Sequence, residues 1–321
     1  MPSQNPSLPE RLHQLQRSLR ETPVVELNEE GIRLFAKLEY NNPFGSLKDR
    51  PAFWLLKTAV ERGEVTQDTT LVESSSGNFA NAMASYCRLL GLKFIPVIDP
   101  NIAGANEAYL RRMCETVVKV EQRDETGGFL KTRLRKVQEL LCSSPVSYWP
   151  NQYGNPLVAE AHYRFTGEEI CRAFKQVDYV FVGVSTGGTI AGVSTRVKEQ
   201  FPNAKVIAVD AEGSVIFGGA PKKRYIPGIG ASVRAELVDR ALIDDVVMVP
   251  EIDTVRACRE LLFRHGLLVG GSSGSCYAAV KRYLPTMRAV SPPNVVFLCA
   301  DKGGAYLDTV FNDQWCSRLE Q

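Results

Sequence analysis

Histidine is scarce in this chain. Three occur in 321 residues (His13, His162 and His265), and none is spaced with a cysteine as a zinc site requires. No uninterrupted apolar stretch approaches the ~20 residues that span a bilayer. Residues Met1–Arg20 are polar and of mixed charge, without the apolar segment of a signal peptide, so a cytoplasmic location is expected. An excess of one charge is missing too: 38 Lys and Arg face 36 Asp and Glu, a formal net charge of +2. That balance argues against a nucleic acid or a membrane surface as partner. The eight cysteines (Cys87, Cys114, Cys142, Cys171, Cys258, Cys276, Cys299 and Cys316) contain no C-x-x-C pair. They read as reduced thiols packed in the core, and no metal is expected.

What the chain does have is enough apolar residues, 44%, for one or two full cores. Its length suggests about two domains at ~150 residues each. No internal repeat or low-complexity block interrupts it. A short apolar strand, a turn and a helix recur instead. Strands are expected at 71–73, 93–98, 178–184, 205–210, 246–249 and 295–300. Helices are expected at 78–90, 129–142, 189–200, 254–265 and 275–283. Apolar strands alternating with helices predict an α/β fold with parallel sheets covered on both faces. Ligands of such folds sit at the carboxyl ends of strands.

Four turns lie at such places. In Asn42-Pro43-Phe44-Gly45-Ser46-Leu47-Lys48-Asp49-Arg50, a glycine turn opens a helix with Lys48 just inside it. Lys48 is either a solvated cation or an amine whose pKa the helix dipole lowers, fit for a Schiff base. Ser74-Ser75-Ser76-Gly77-Asn78 joins strand to helix, as simple capping or as a carboxylate or phosphate site. Ser185-Thr186-Gly187-Gly188-Thr189 offers two glycines for close backbone approach to an anion and three hydroxyls. It matches neither the dinucleotide nor the nucleoside-triphosphate fingerprint, so a compact phosphate monoester fits better. Gly270-Gly271-Ser272-Ser273-Gly274-Ser275 is either an ordinary link or a hydroxyl presented to a buried ring atom.

Together and in this order, the four turns resemble the fold-type II pyridoxal-phosphate enzymes of the cysteine synthase family, from Thr22-Pro23 to Asp301. The resemblance implies a tryptophan synthase β-like fold of two three-layer domains with the cofactor in the interdomain cleft. Residues 40–155 would form a smaller, mobile domain that binds the substrate carboxylate. Residues 1–39 with 156–321 would form the larger domain that binds the cofactor phosphate. It implies that Lys48 carries pyridoxal 5'-phosphate and acts as general base and acid. Asn78 would meet the ring hydroxyl, Ser185, Thr186, Gly187, Gly188 and Thr189 would cradle the phosphate, and Ser272 would meet the pyridine nitrogen. A serine there leaves the ring a weaker electron sink than an Asp would, suited to β-elimination and then addition of a nucleophile. A homodimer is also implied.

By the same resemblance Ser75, Ser76, Gly77, Asn78 and Phe79 grip an amino acid's α-carboxylate, with Gln152 helping. Gly228, in Ile-Pro-Gly-Ile-Gly-Ala-Ser, belongs to a loop that adjusts on closure. The sequence departs from sulfhydrylases at Tyr153, where Phe is usual, at Ser185, where Gly is usual, and at Phe79, where Thr is usual. Gly-Gly-Phe-Leu-Lys-Thr-Arg (127–133), Asn151-Gln152-Tyr153 and Gly-Ser-Val-Ile-Phe-Gly (213–218) are similar to a narrower family, N-(2-amino-2-carboxyethyl)-L-glutamate synthase. That family serves 2,3-diaminopropionate and siderophore biosynthesis. O-phospho-L-serine and L-glutamate are then the expected substrates, phosphate leaving and the glutamate amine adding to an aminoacrylate. Arg133 either faces the substrate or is a solvated helix cation, and Ser185 serves the substrate or only the phosphate. The rivals are an O-acetylserine or O-phosphoserine sulfhydrylase and a non-catalytic binding module.

Overall fold

The computed structural model describes residues 6–125, 127–287 and 291–319, so the first five residues of the polar N-terminal stretch lie outside it. The chain runs α1 (Leu8–Gln16), β1 (Val24–Leu27), β2 (Arg33–Leu38), α2 (Asp49–Glu61), β3 (Thr70–Ser74), α3 (Asn78–Leu90), β4 (Lys93–Ile98), α4 (Gly104–Met113), β5 (Val118–Lys119), α5 (Leu130–Ser143) and β6 (Ser147–Tyr148). It continues with α6 (Leu157–His162), a π-helical turn (Tyr163–Gly167), α7 (Glu168–Ala173), β7 (Tyr179–Gly183), α8 (Gly188–Gln200), β8 (Lys205–Ala211) and β9 (Asp245–Val249). Then follow α9 (Glu251–His265), α10 (Gly271–Tyr283), β10 (Asn294–Cys299) and the short α11 (Asp313–Cys316).

Two units emerge. The first comprises residues Met1–Arg20, Asn42–Phe44 and Lys48–Leu157; the second comprises Glu21–Asn41, Gly45–Leu47 and Val158–Gln321. The sequence reading placed 1–39 with the larger unit, but α1 belongs to the first. Leu8 and Leu12 are buried, and Arg11 hydrogen-bonds Gln67, which ties α1 to that unit.

The first unit is built on a four-stranded sheet, ordered β5-β4-β3-β6 and parallel throughout. The chain moves from β3 outward to β4 and β5, then returns to β3's other side as β6. The carboxyl end of β3 is therefore a topological switch point, where α/β sheets place ligands. The second unit holds a six-stranded sheet, ordered β1-β2-β10-β7-β8-β9. All its pairings are parallel except β1 with β2. Here β7, β8 and β9 step one way and β10 lies on β7's other side, so β7 ends at a second switch point.

Strand alternation divides the second unit's core in two. Phe181, Ile207, Val209, Val295 and Phe297 join α9 and α10 on one face. Val180, Val182, Val206, Ala208, Val296 and Leu298 join α7 and α8 on the other. Successive side chains of a strand point to opposite faces, so near-continuous apolar runs produce a three-layer sandwich. The sequence reading did not anticipate β1, β2, α1, α4, α6 or α7, and among the helices it did expect, α10 departs most, beginning at Gly271, four residues before the expected start. A Cβ at Gly271 would collide with Ile226 Cγ2, and one at Gly274 with Cys258 Sγ. These glycines let a helix pack closely rather than form a loop.

Candidate active site

In the first unit, the turn after β3 is held by its own hydroxyls. Ser75 Oγ accepts from the Ala80 N–H at 3.2 Å, while Gly77, extended at φ −142°, is the cap of α3 and brings no side-chain bond to it. The start of this 13-residue helix is the positive end of its dipole and favours an anion. Ser76 Oγ lies 3.1 Å from Asp99 Oδ2 and accepts from Arg133 Nη1 at 3.2 Å. Arg133 also pairs with Asp99 at 3.2 Å, its side chain only 12% exposed. Arg133 is thus paired and largely buried within the turn. The Phe79 ring is 2% exposed and belongs to the core, so its backbone alone faces the turn.

Gln152 and Tyr153 converge on the same strand end. Gln152 Nε2 donates to the Ser74 carbonyl at 2.9 Å, and Tyr153 OH donates to it at 3.1 Å. Beneath them lies a residue that the sequence reading passed over. Glu73 is fully buried and accepts from Ser74 N–H (2.8 Å), Trp149 Nε1–H (3.2 Å) and Gln152 N–H (3.2 Å). Burial pushes its carboxyl up to about 7 despite those donors. A charged residue inside the apolar strand Thr70–Ser74 was the available signal. Lys48 is the N-cap of α2 rather than a residue inside it, and it is half-buried. Its neighbour Asp49 accepts from the Phe44 N–H at 2.5 Å and so closes the turn that presents the lysine.

In the second unit, Ser185 to Thr189 bridge β7 and α8. Gly187 is left-handed at φ +84°, and a Cβ there would stand 2.5 Å from Val238 N. Gly188 is pressed as closely against Val158. The first helical bond of α8 is Ala191 N–H to Gly187 O, and no side chain caps the helix. The N–H groups of 188–190 thus precede the helical ladder at the positive end of its dipole. Thr189 Oγ1 lies 3.2 Å from Nε2 of the fully buried His162, a second residue the sequence reading missed. Gly192 explains the meeting: a Cβ there would overlap Ala159 O, so its absence lets α6 lie against α8.

Two further segments reach the same strand end. Ser185 Oγ donates to Gly230 O at 3.1 Å and Gly230 N–H to Val184 O at 2.8 Å, which fastens the glycine loop to the turn after β7. Gly228 shares the left-handed conformation of that loop, at φ +90°. Ser272, in the first turn of α10, is 7% exposed and lies beside Gly183, whose hypothetical Cβ would stand 3.7 Å from Ser272 Cβ. Hydroxyls and helix N–H groups around a side-chain-free strand end form a donor set suited to a phosphate monoester and an adjoining ring. The residues fit pyridoxal phosphate. Among the described residues no group of His, Cys, Asp or Glu could hold a metal ion, and no helix is long and apolar enough to cross a membrane. Among the described residues no disulfide joins the cysteines, and six of the eight are buried.

The two switch-point turns and the parallel sheets define a class, and residues 15–301 match the family model "Pyridoxal-phosphate dependent enzyme". The chain belongs to this family, as a fold-type II pyridoxal-phosphate-dependent enzyme of β-replacement. It is 43% identical over 303 residues to the N-(2-amino-2-carboxyethyl)-L-glutamate synthase of Ralstonia nicotianae, covering 93% of this chain and 89% of that one. Among solved structures it resembles the O-acetylserine-dependent cystathionine beta-synthase of Helicobacter pylori, at 28% identity and TM-score 0.84, covering 92% of this chain and 97% of that one. It also resembles a hydrogen sulfide-producing enzyme of Fusobacterium nucleatum, at 30% identity and TM-score 0.85, with 96% of each chain covered.

Proposed function

We propose that this enzyme joins O-phospho-L-serine to L-glutamate, giving N-(2-amino-2-carboxyethyl)-L-glutamate and phosphate. The observation that carries the reading is the guanidinium of Arg133, nearly buried and bonded to Ser76 within the substrate turn. A fixed cation there suits a dicarboxylic or phosphorylated amino acid; hydrogen sulfide has no use for it. The name of the Ralstonia relative supports the same choice.

In this mechanism Lys48 holds the cofactor and takes the Cα proton of the first substrate, later returning it. When bound, the cofactor supplies an electron sink for the charge left at Cα. The Ser75–Asn78 turn and Gln152 grip the α-carboxylate, which fixes the Cα–H bond for removal. Asn78 meets the ring hydroxyl, and Ser272 offers the ring nitrogen a neutral partner. Residues Ser185 to Thr189 hold the cofactor phosphate. The substrate Cβ–O bond breaks as phosphate leaves, and the glutamate nitrogen forms the new Cβ–N bond while losing one proton.

The test is a visible absorbance spectrum of the purified protein, taken before and after O-phospho-L-serine and then after L-glutamate. A band that phosphoserine creates and glutamate discharges is expected. Discharge by sulfide alone would identify a cysteine synthase and overturn the choice of acceptor.

A further inference from the structure

Glu73 takes no part in the mechanism above, yet three donors converge on it: the N–H groups of Ser74 and Gln152 and the Trp149 indole. We infer that Glu73 is a positioning residue for the first substrate: its carboxylate clamps the 149–153 segment to the end of β3, setting the distance between Gln152 and the Ser75–Asn78 turn. The inference rests on the proposed role of that turn and of Gln152.

The geometry is specific. Oε1 accepts from Ser74 N–H at 2.8 Å and Trp149 Nε1–H at 3.2 Å, while Oε2 accepts from Gln152 N–H at 3.2 Å. Gln152 is thus held at its backbone by Glu73 and at its side chain by the Ser74 carbonyl. The preceding residue, Asn151, is left-handed at φ +53°, unusual outside glycine. Clamping on both sides keeps such a turn in place. Every partner of Glu73 is a neutral donor, so only an ionised carboxylate, with two acceptor oxygens, satisfies all of them; a Gln would offer one.

Burial opposes that ionised form, and the two tendencies meet near neutral pH. Tyr148 from β6 and Tyr153 from the clamped segment feel the Glu73 charge. Beyond them lie Arg62 and Glu64 next to Tyr148, and Arg133 and Asp99 next to Tyr153. Protonating Glu73 weakens its hold on Trp149 and Gln152 together.

Two readouts on the holoenzyme test this. The first is tryptophan emission against pH without substrate, with Trp149→Phe identifying the Trp149 contribution among the three tryptophans. A single step close to pH 7 is expected, absent from Glu73→Gln. The second is KM for O-phospho-L-serine, expected to rise about tenfold in Glu73→Gln at pH 8 with kcat within about twofold. Wild-type KM should climb toward the variant's value at pH 6. Glu73→Asp, which keeps the charge, should retain the step and recover part of the KM. An emission step that survives in Glu73→Gln, or a KM that stays unchanged while the step disappears, overturns the inference. If O-phospho-L-serine is not a substrate at all, the proposed reaction fails while the clamp is still judged, by the emission step and by KM for O-acetyl-L-serine, which carries the same α-carboxylate. Should Glu73→Gln fail to fold, Glu73→Asp supplies both readouts, and an unaltered emission step together with an unaltered KM overturns the clamp.

Discussion

His162 Nε2 meets Thr189 Oγ1 at 3.2 Å in a fully buried position, with Thr166 Oγ1 on its other nitrogen at 3.1 Å. Thr166 in turn donates to Glu39 at 3.3 Å, and Glu39 lies 3.8 Å from Lys37, which donates to Glu169 at 2.5 Å. A line of buried polar groups therefore stands behind Thr189, the last residue of the proposed phosphate turn. Such networks fix hydroxyl orientation because each unmet partner would cost about 1–3 kcal/mol.

Replacing His162 by Ala is expected to weaken retention of pyridoxal phosphate about tenfold, and to lower stability by about 1–3 kcal/mol. Equilibrium dialysis against pyridoxal phosphate and pyridoxal separates the two effects. Only the phosphorylated form should lose affinity; equal losses for both would make His162 a packing residue.

Lys48→Ala should abolish turnover and the yellow colour of the purified protein. Borohydride reduction followed by peptide mass analysis gives the decisive reading, since the cofactor mass should appear on Lys48 in the wild type. Its appearance on another lysine would displace Lys48 from its assigned role.

Gly187→Ala forces a side chain into a left-handed residue at φ +84° and against Val238 N. A loss of about 2–4 kcal/mol is expected, together with weaker cofactor binding. Gly218, also left-handed at φ +83° but with open space around it, is the control. Gly218→Ala should cost about 1–2 kcal/mol by thermal denaturation and leave cofactor affinity as it was.

Stability should fall as pH rises from about 5 to 8. The Glu73 carboxyl, 4.5 in the unfolded chain, is pushed up to about 7 by burial. Between those values the native protein holds a proton that the unfolded chain has released, so this group lowers stability with rising pH, by up to about 3 kcal/mol. Urea midpoints at pH 5 and pH 8 measure it, and the difference should shrink in Glu73→Gln.

Tyr153→Phe combined with Ser185→Gly removes the hydroxyls that bond Ser74 O and Gly230 O. Acceptor use should shift from glutamate toward sulfide by about tenfold in the ratio of kcat/KM. An unchanged ratio would leave the preference to Arg133 alone.

Much of this was legible in the chain itself. Runs such as 179–184 and 206–209 carry no charged residue, as a strand covered on both faces requires, and both lie in such strands. The Gly- and Ser-rich segments Ser75–Asn78 and Ser185–Thr189 do join strand to helix, because turn conformation is a local property. The α10 start escaped, since the same glycines serve loops and close helix packing, and only the neighbours Ile226 and Cys258 distinguish the two.

The sequence alone thus determined the layered α/β class and the order of its strand-to-helix turns, because periodicity and turn chemistry act over a few residues. Tertiary structure decided which distant side chains support those turns. Glu73 meets Trp149 and Gln152 across 76 and 79 residues, Arg133 meets Ser76 across 57, and His162 meets Thr189 across 27. Contacts of that span are fixed by the register of strands and the packing of helices, and no local pattern carries them.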